Sequence, residues 1–328
     1  MKIILLTFVL TSTILFSQTF YGSNPFAHTY SIVARDSVTG EMGVAVQSHW
    51  FSVGTLVSWG EAGVGVIATQ SFINASFGLR GLNLLKQGLT PQQVIDFLIS
   101  SDEGRDVRQL AVLDSKGRTA AYTGKNCIQP AGHIVGKNFS VQANLMMNNK
   151  VWPAMAKAFK KTKGKLAERL LAALQAAQNV GGDIRGKQSA ALLVVKGKST
   201  GKVWEDRLVD LRVDDSKEPL KELARLLKVH RAYEHMNSGD LAVEQGKMDL
   251  AMKEYSTAEK MFPNNEEMKF WHAVTLANIG KVDEALPYFK KVFEVNNNWK
   301  ILVPRLVKAK LLTVEKSVLN RILNLIKK

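Results

Sequence analysis

Short apolar runs separated by turn residues open the main part of the chain, and the spacing of apolar residues then becomes helical. TYSIVARD and MGVAVQSHW flank the turn-rich SVTGE, which predicts a β-hairpin of two buried strands, and GVGVIATQS predicts a third strand. Between Asn74 and Gly88 the apolar spacing becomes helical, and Thr90-Pro91 supplies the cap and first-turn proline of a second helix, PQQVIDFLISS. This part of the chain is therefore predicted to be strands followed by a helix pair.

The same order then repeats. Three strands are predicted next, at VRQLAVLD, TAAYTG and NFSVQANLM. Two helices follow at PAMAKAFKK and KLAERLLAALQAAQ, and the closing strands are QSAALLVVKG and VWEDRLVDLRV. Continuous apolar strands indicate a sheet that is buried on both faces. The most economical arrangement is an α+β fold in which two stacked sheets carry a helix pair on each outer side. We therefore predict a four-layer αββα sandwich over residues 29–214.

Residues 217–328 have helical spacing and contain an internal repeat. GKMDLAMKEYSTAEKMFPNN begins at Gly246, and GKVDEALPYFKKVFEVNNNW begins 34 residues later at Gly280. Glycine at the interhelical turn and alanine at the helix contact, repeated at this period, resemble the tetratricopeptide repeat, although the proline after the second helix is present only as Pro263. Such stacks bind partners in their concave face. We predict an all-α tetratricopeptide-like domain with a protein partner; packing on the first domain or homo-oligomerisation are the alternatives.

The first 18 residues have the composition of a secretory signal peptide. Lys2 precedes the apolar run IILLTFVLTSTILF, which ends at Phe16 and is followed by Ser17 and Gln18. The run is shorter than the ~20 residues that span a bilayer, which favours a cleaved signal over an uncleaved anchor. No later segment is long and apolar enough for a membrane helix. The sequence thus predicts export to the periplasm or outside the cell.

Composition narrows the classes of function. The single cysteine, Cys127, excludes an internal disulfide, so an exported chain must be stabilised by its cores. The formal net charge of +15 comes from basic residues scattered along predicted helices, which favours solvated helix faces over an anionic polymer or membrane surface and argues against nucleic acid. The six histidines lack metal-binding spacing and GVGVIA lacks the lysine of a phosphate loop, so we predict no metal and no cofactor.

Several ordered blocks carry a family resemblance. The resemblance is carried by the blocks TYSIVARDSVTGEMGVAVQSHWFSVG, EAGVGVIATQSF, RGLNLLKQGL, FSVQANLM and GGDIRGKQSAALLVV. Over about residues 29–214, the chain resembles the bacterial family called domain of unknown function 1028. That family is similar in fold to the N-terminal-nucleophile hydrolases, whose αββα sandwich agrees with the layers predicted above. The resemblance implies a fold and supplies no activity.

In N-terminal-nucleophile hydrolases, the first residue of the mature chain attacks an amide carbonyl, and its own α-amine accepts the side-chain proton. By resemblance, Thr29 occupies this place at the start of the first strand, with backbone N–H groups and Asn144 as candidate oxyanion donors. Exposing Thr29 requires a cut after His28, whereas signal cleavage near residue 18 leaves about ten residues ahead of it. The chain also lacks the aspartate and lysine with which proteasome-type members tune the nucleophile, and has Gln47 in the aspartate's place.

Polar residues at the ends of the predicted strands form the candidate substrate site. A Gln-Ser pair recurs in three strands, and because side chains alternate between faces, each pair places one polar group on each side of its sheet. Any single one could instead satisfy a buried neighbour. We hypothesise that they line one cleft near Thr29. The predicted substrate-binding residues are Gln47, Ser48, His49, Gln70, Ser71, Asn74, Asp183, Arg185, Gln188 and Ser189, and Gln142 lies in the same polar set.

These patterns lead to two functional hypotheses. The first is an exported amidohydrolase of N-terminal-nucleophile type, with Thr29 as nucleophile and an unknown small molecule or peptide as substrate. The second is a non-catalytic binding protein of the cell envelope that uses the same cleft and the helical repeats. The mature N-terminus separates them, because only the hydrolase needs Thr29 to be the first residue.

Overall fold

The computed structural model of the protein describes residues 26–326. The chain divides into two compact units, which meet in sequence between Pro219 and Leu220. The predicted signal peptide, residues 1–18, lies outside the described residues. The predicted class is confirmed at the level of mixed α/β structure, with antiparallel sheets in the first unit and helices in the second.

Strands and helices follow one another in the predicted order, with several short additions. The strands are β1 (Phe26–Ala27), β2 (Thr29–Arg35), β3 (Met42–Ser48), β4 (Ser58–Glu61), β5 (Gly65–Phe72), β6 (Arg108–Asp114), β7 (Thr119–Thr123), β8 (Gly132–Gly136), β9 (Phe139–Ala143), β10 (Ser189–Val195) and β11 (Arg207–Val213). The helices are α1 (Gly54–Val57), α2 (Ser76–Lys86), α3 (Pro91–Ser100), α4 (Val151–Lys161), α5 (Leu166–Asn179), α6 (Val203–Asp206), α7 (Pro219–Glu244), α8 (Met248–Met261), α9 (Glu266–Asn278), α10 (Val282–Val295), α11 (Asn298–Lys308) and α12 (Lys316–Leu323).

Both sheets are antiparallel throughout. In the first sheet β6 pairs with one edge of β5 and with β7, while β1 and β4 pair with the two ends of the other edge of β5. The second sheet has the strand order β11-β10-β3-β2-β9-β8. In its centre Thr29 is the partner of Ser48, and Ser48 is also the partner of Ser189. The chain passes from the first sheet to the second at His28, between β1 and β2.

The two sheets pack face to face and each carries a helix pair on its other face. β5 contacts β2 and β3, and β6 contacts β9, while α2 and α3 pack on the first sheet and α4 and α5 on the second. Side chains alternate accordingly along β5, where Val66 and Ala68 belong to the core between the sheets and Ile67 belongs to the core under α2 and α3. The continuous apolar runs therefore correspond to strands buried on both faces.

Local signals explain where particular elements begin. At the start of α3 the Thr90 side chain accepts from Gln93 N at 3.3 Å, and Gln93 Oε1 accepts from Thr90 N at 2.9 Å, so the helix start predicted at Pro91 is confirmed. The predicted closing strand differs, because its first residues form α6. There the Asp206 carboxylate accepts hydrogen bonds from Thr200 N and from the Ser199 hydroxyl, which folds this segment into a compact turn before β11.

The C-terminal unit consists of helices α7 to α12 in its described part. Gly246 and Gly280, the two repeat starts, both have left-handed backbone, with φ of 70° and 81° at turns between helices. Three of the residue pairs aligned by the 34-residue period are buried in both copies: Ala251 with Ala285, Tyr255 with Phe289, and Ala258 with Val292. Among residues 26–326, no helix combines the length and the apolar character needed to cross a membrane.

Candidate functional site

Thr29 lies where the chain enters the second sheet. It is the first residue of β2, and the two residues before it, Ala27 and His28, are as fully buried as Thr29 itself. The Thr29 Oγ1 hydroxyl donates to the carbonyl oxygen of Ala27 at 2.9 Å. Because Ser31, two residues later, meets Gln70 of the first sheet, Thr29 also faces the space between the sheets. Its nitrogen belongs to the peptide bond with His28.

The carbonyl oxygen of His28, which belongs to that peptide bond, accepts two hydrogen bonds from side chains. Ser48 Oγ donates to it at 2.5 Å and Arg185 Nη2 at 2.8 Å. Ser48 reaches this oxygen because it is the strand partner of Thr29 at the end of β3. A hydroxyl and a guanidinium that converge on one carbonyl oxygen polarise it and stabilise negative charge that develops there.

Asp183 fixes the direction of the Arg185 side chain. Its carboxylate accepts from Arg185 Nε at 3.0 Å and from Arg185 Nη2 at 2.7 Å, in the two-bonded geometry that suits a guanidinium. It also accepts from the backbone N–H of Arg185 at 2.9 Å and of His49 at 3.3 Å. The Asp183 side chain is completely buried, whereas the Arg185 side chain is partly exposed.

The His28 ring is completely buried and contacts Asn144 and Phe72. Its Nδ1 lies 2.6 Å from Asn144 Oδ1, and the ring meets the Phe72 ring edge to face with a centroid separation of 5.4 Å. Burial lowers the pKa of the imidazole from its ordinary 6.5 to about 4, against the opposing effect of the Asn144 hydrogen bond. The imidazole is therefore neutral at pH 7, and its Nδ1–H donates to Asn144.

The Asn144 side chain contacts both residues of the His28–Thr29 peptide bond. Its Nδ2 donates to Gln109 Oε1 at 2.9 Å and to the carbonyl oxygen of Thr29 at 3.4 Å. With its amide nitrogen between two acceptors, the side chain presents its oxygen to His28. The predicted role of Asn144 as an oxyanion donor differs from this geometry, because the donors on the His28 carbonyl are Ser48 and Arg185.

A network of buried amides and hydroxyls joins the two sheets beside Thr29. Gln70 Nε2 donates to the carbonyl oxygen of Thr29 at 3.2 Å and to Gln109 Oε1 at 2.6 Å. Ser31 Oγ donates to Gln70 Oε1 at 2.5 Å and accepts from Gln142 Nε2 at 2.6 Å. Buried amides without partners would cost about 1–3 kcal/mol each, so this network stabilises one arrangement of the strands around Thr29.

Five predicted site residues thus meet at the His28–Thr29 peptide or its flanking groups: Ser48, Gln70, Asn144, Asp183 and Arg185. Two others from the Gln-Ser pairs point elsewhere. The Gln47 amide accepts from the Tyr30 hydroxyl, which also contacts Gln178 of α5 at 3.1 Å, so Gln47 faces the helix layer. Ser71 lies beside the buried Cys127 thiol, whose pKa is raised by burial.

Asn74 and Gln188 have local partners instead of site partners. Asn74 Oδ1 accepts from Ser76 N at 3.2 Å and from Ser76 Oγ at 2.7 Å, which forms the turn that leads into α2. Gln188 Nε2 donates to Asp215 at 3.2 Å near the surface. Their placement in one cleft with Thr29 was predicted from position at strand ends, and the described contacts do not bring them there.

Ser189 and His49 lie next to the site without their side chains entering it. Ser189 Oγ donates to the carbonyl oxygen of Trp50 and accepts from Val53 N at 3.1 Å, so it secures the loop after β3. The His49 side chain is exposed, and only its backbone N–H reaches Asp183. The residues predicted to share one cleft therefore do not all meet at Thr29.

Two residues with left-handed backbone border the cluster. Ser71 has φ of 73° at the position where β5 pairs with Ala27, and Leu145, directly after Asn144, has φ of 59°. Such angles are uncommon outside glycine and are costly for a residue as bulky as leucine. Ser71 is the strand partner of Ala27, and Leu145 follows the residue that bonds the His28 ring.

Sequence reasoning missed two members of the cluster. His28 precedes Thr29, and its burial was not signalled because a single histidine carries no periodicity. Gln109 lies within the apolar run VRQLAVLD and is completely buried. A glutamine in the middle of a buried strand needs partners, and this signal could have placed it in the network.

A separate cavity of about 500 Å³ opens elsewhere in the first unit, between β4, β10, β11 and α2. Trp59, Leu193 and Arg212 are among its lining residues. No predicted site residue lines it. Over residues 26–326, no three histidine, cysteine or acidic side chains come together in the manner of a metal site.

Comparisons with known proteins extend this picture. The family described as "Family of unknown function (DUF1028)" matches residues 29–223, so the match begins at Thr29 and includes the two sheets apart from β1. The crystal structure of protein SPO2555 from Silicibacter pomeroyi, which carries the same family description, is similar with a TM-score of 0.56 and 32% sequence identity, over 61% of this chain and 88% of that chain. No curated protein matches the chain.

Proposed function

The chain belongs to the family of unknown function DUF1028, and from this premise we propose that its N-terminal unit is an amidohydrolase whose nucleophile is Thr29. In this proposal the unit is an N-terminal-nucleophile-hydrolase-like αββα sandwich, and the chain with residues 26–28 in place is its precursor. The precursor cuts its own peptide bond between His28 and Thr29. The product begins with Thr29, whose free α-amine is the catalytic base.

The observation that carries the proposal is the pair of donors on the His28 carbonyl oxygen. Thr29 Oγ1 adds to the His28 carbonyl carbon, and the resulting oxyanion accepts from Ser48 Oγ and Arg185 Nη2, at the places where they hold the carbonyl oxygen at 2.5 and 2.8 Å. The C–N bond then breaks, the nitrogen takes up the hydroxyl proton, and His28 is left as an ester on Thr29. Water hydrolyses the ester to give the His28 carboxylate and the free Thr29 amine.

The same groups serve a substrate once the cut is made. The α-amine of a terminal residue has an ordinary pKa of ~7.7–8.0, so a useful fraction is neutral near pH 7 and accepts the Thr29 hydroxyl proton. Ser48 and Arg185 no longer hold a carbonyl of the chain and are available for the carbonyl of an amide substrate. The ion pair between the buried Asp183 and the partly exposed Arg185 supplies the local charge, in a chain that lacks the proteasome-type aspartate and lysine.

A concentration test distinguishes self-cleavage from cutting by another protein. Precursor freshly purified and incubated at two concentrations a hundredfold apart is expected to be cut with the same half-time, because the nucleophile and the scissile bond belong to one chain. A half-time that shortens in proportion to concentration contradicts self-cleavage within one molecule. A chain that is never cut, in either sample, supports the non-catalytic binding protein instead.

The proposal extends to export and to the C-terminal unit. Removal of residues 1–18 by signal peptidase would precede the second cut and deliver the protein to the periplasm or beyond. The matched burial of Ala251 with Ala285 and of Tyr255 with Phe289 supports a tetratricopeptide-like pair of repeats. We assign to these repeats the binding of a protein partner.

Acid pH is expected to weaken a precursor that retains His28. Below pH 6.5 the unfolded chain protonates this imidazole, whereas the folded chain resists protonation down to about pH 4. Stability is therefore lost as the pH falls through this window, by up to about 3 kcal/mol at 1.36 kcal/mol per pKa unit. Urea unfolding of Thr29→Ala, which keeps His28 in place, measures the loss between pH 7 and pH 4.

The matched control is the double variant Thr29→Ala/His28→Gln, which keeps a hydrogen-bond donor for Asn144 and cannot titrate. It is expected to lose about 3 kcal/mol less than Thr29→Ala over the same pH interval. Equal losses in the two variants would contradict a buried, neutral His28.

A further inference from the structure

We propose that the substrate is an extended peptide that takes the place of residues 26–28, with a histidine or aromatic residue on the acyl side of the bond that is cut. This inference rests on the proposed function and specifies its substrate class. Residues 26–28 occupy the site before the cut. When they leave, the substrate peptide occupies the same space.

The first argument is the strand pairing of β1. Phe26 is the partner of Phe72 and Ala27 is the partner of Ser71, in antiparallel register at the end of β5. When residues 26–28 leave, the backbone groups that this end of β5 presents to β1 lose their partners. An extended peptide restores them by adding as a strand, which is a general mode of peptide recognition. A compact small amide cannot do so.

The second argument is the position of the His28 side chain. It is completely buried, with Asn144 Oδ1 at 2.6 Å from Nδ1 and the Phe72 ring against its plane. The Asn144 amide is held in one orientation because its Nδ2 already donates to Thr29 O and Gln109 Oε1. A ring with an N–H donor therefore satisfies this position, whereas an aliphatic side chain leaves the Asn144 oxygen unpaired.

The size of the selectivity follows from the cost of that unpaired oxygen. A buried acceptor without a donor costs about 1–3 kcal/mol, which corresponds to about 5- to 150-fold in affinity. Phenylalanine keeps the contact with Phe72 and loses the hydrogen bond, so it ranks between histidine and alanine. Aspartate brings a negative charge against the Asn144 oxygen and ranks last.

The third argument concerns the newly formed C-terminal carboxylate of a product peptide. Ser48 Oγ and Arg185 Nη2 both hold the carbonyl oxygen of residue 28. A carboxylate at the same place accepts the same bonds and gains the charge of the guanidinium. A product peptide that ends in histidine is therefore a ligand of the mature protein, and its binding can be measured without any reaction.

The test is calorimetric titration of the purified full-length gene product with the peptide of residues 24–28, Asn-Pro-Phe-Ala-His, and with the same peptide ending in alanine. The intact mass of the protein is measured in the same sample. The histidine peptide is expected to bind at least about fivefold more tightly. Asn144→Leu is expected to remove the difference between the two peptides.

Equal affinities, or no binding of either peptide, would overturn the inference. If the mass shows that the protein begins at Thr29, this result leaves the proposed hydrolase in place and removes only its peptide specificity. If the mass shows an uncut chain that binds neither peptide, both the inference and the proposed function are overturned.

Discussion

Replacement of Thr29 by alanine is expected to leave the chain uncut at residue 28 and to abolish hydrolysis of any amide substrate. The variant lacks the hydroxyl that adds to the His28 carbonyl, so Arg185 and Ser48 stay engaged with the precursor. Folding should survive, because the lost side-chain hydrogen bond, from Thr29 Oγ1 to Ala27 O at 2.9 Å, is worth about 1 kcal/mol. Intact mass and an amide-hydrolysis assay on the same preparation measure both effects.

Thr29→Ser is the matched control. It retains a hydroxyl and, after the cut, an α-amine on the same residue, so both cleavage and hydrolysis are expected to persist. A Thr29→Ala protein that still begins at residue 29 would show that another enzyme makes the cut. A Thr29→Ala protein with full hydrolytic activity would remove Thr29 from the mechanism.

Ser48→Ala is expected to slow self-cleavage by about 10²- to 10³-fold, which is the usual effect of removing one oxyanion donor. The hydroxyl lies 2.5 Å from the His28 carbonyl oxygen, and alanine leaves Arg185 as the remaining side-chain donor there. The change removes one buried oxygen and creates no new charge. The rate is followed by gel or by mass after purification of the precursor.

Ser189→Ala is a close control, because Ser189 is the strand partner of Ser48 and is equally buried. Its hydroxyl bonds to Trp50 and Val53 and not to His28. Self-cleavage of Ser189→Ala is expected to keep the wild-type rate. If both serine variants slow the cut equally, the effect is a general loss of strand packing, and the oxyanion role of Ser48 is wrong.

Most of the first unit can be predicted from sequence because its strands are buried on both faces and its turns carry strong local signals. The runs TYSIVARD and MGVAVQSHW became β2 and β3 (Thr29–Arg35 and Met42–Ser48), and Thr90-Pro91 starts α3. Three strands were missed. β8 (Gly132–Gly136) is five residues with glycine at both ends. β1 and β4 have two and four residues, which is too short to show alternation. Their pairing depends on the free edge of β5, which is a tertiary property.

The site was predictable in its components and unpredictable in its assembly. Side chains alternate along a strand, so one member of each Gln-Ser pair faces each side of the sheet. The register of the strand decides whether the glutamine or the serine faces Thr29. In β3 the serine, Ser48, reaches the carbonyl oxygen of His28, while in β5 the glutamine, Gln70, reaches the carbonyl oxygen of Thr29. Asn74, which was predicted as a substrate-binding residue, instead forms the turn that leads into α2.

The contacts that sequence analysis did not predict join residues that lie far apart in the chain. His28 meets Asn144 across 116 positions of the chain, and Arg185 reaches the His28 carbonyl across 157. No periodicity connects residues so far apart, so the polarised carbonyl ahead of Thr29 emerged only from the three-dimensional arrangement. The proposal of a cut after His28 rests on this arrangement.

The central claim is that the nitrogen of Thr29 becomes a free amine. N-terminal sequencing of the protein recovered from its natural host tests this most directly. The account predicts a first sequence of Thr-Tyr-Ser-Ile-Val, which are residues 29–33. A sequence that begins upstream, near Thr19, with no Thr29 terminus in the sample, would contradict it.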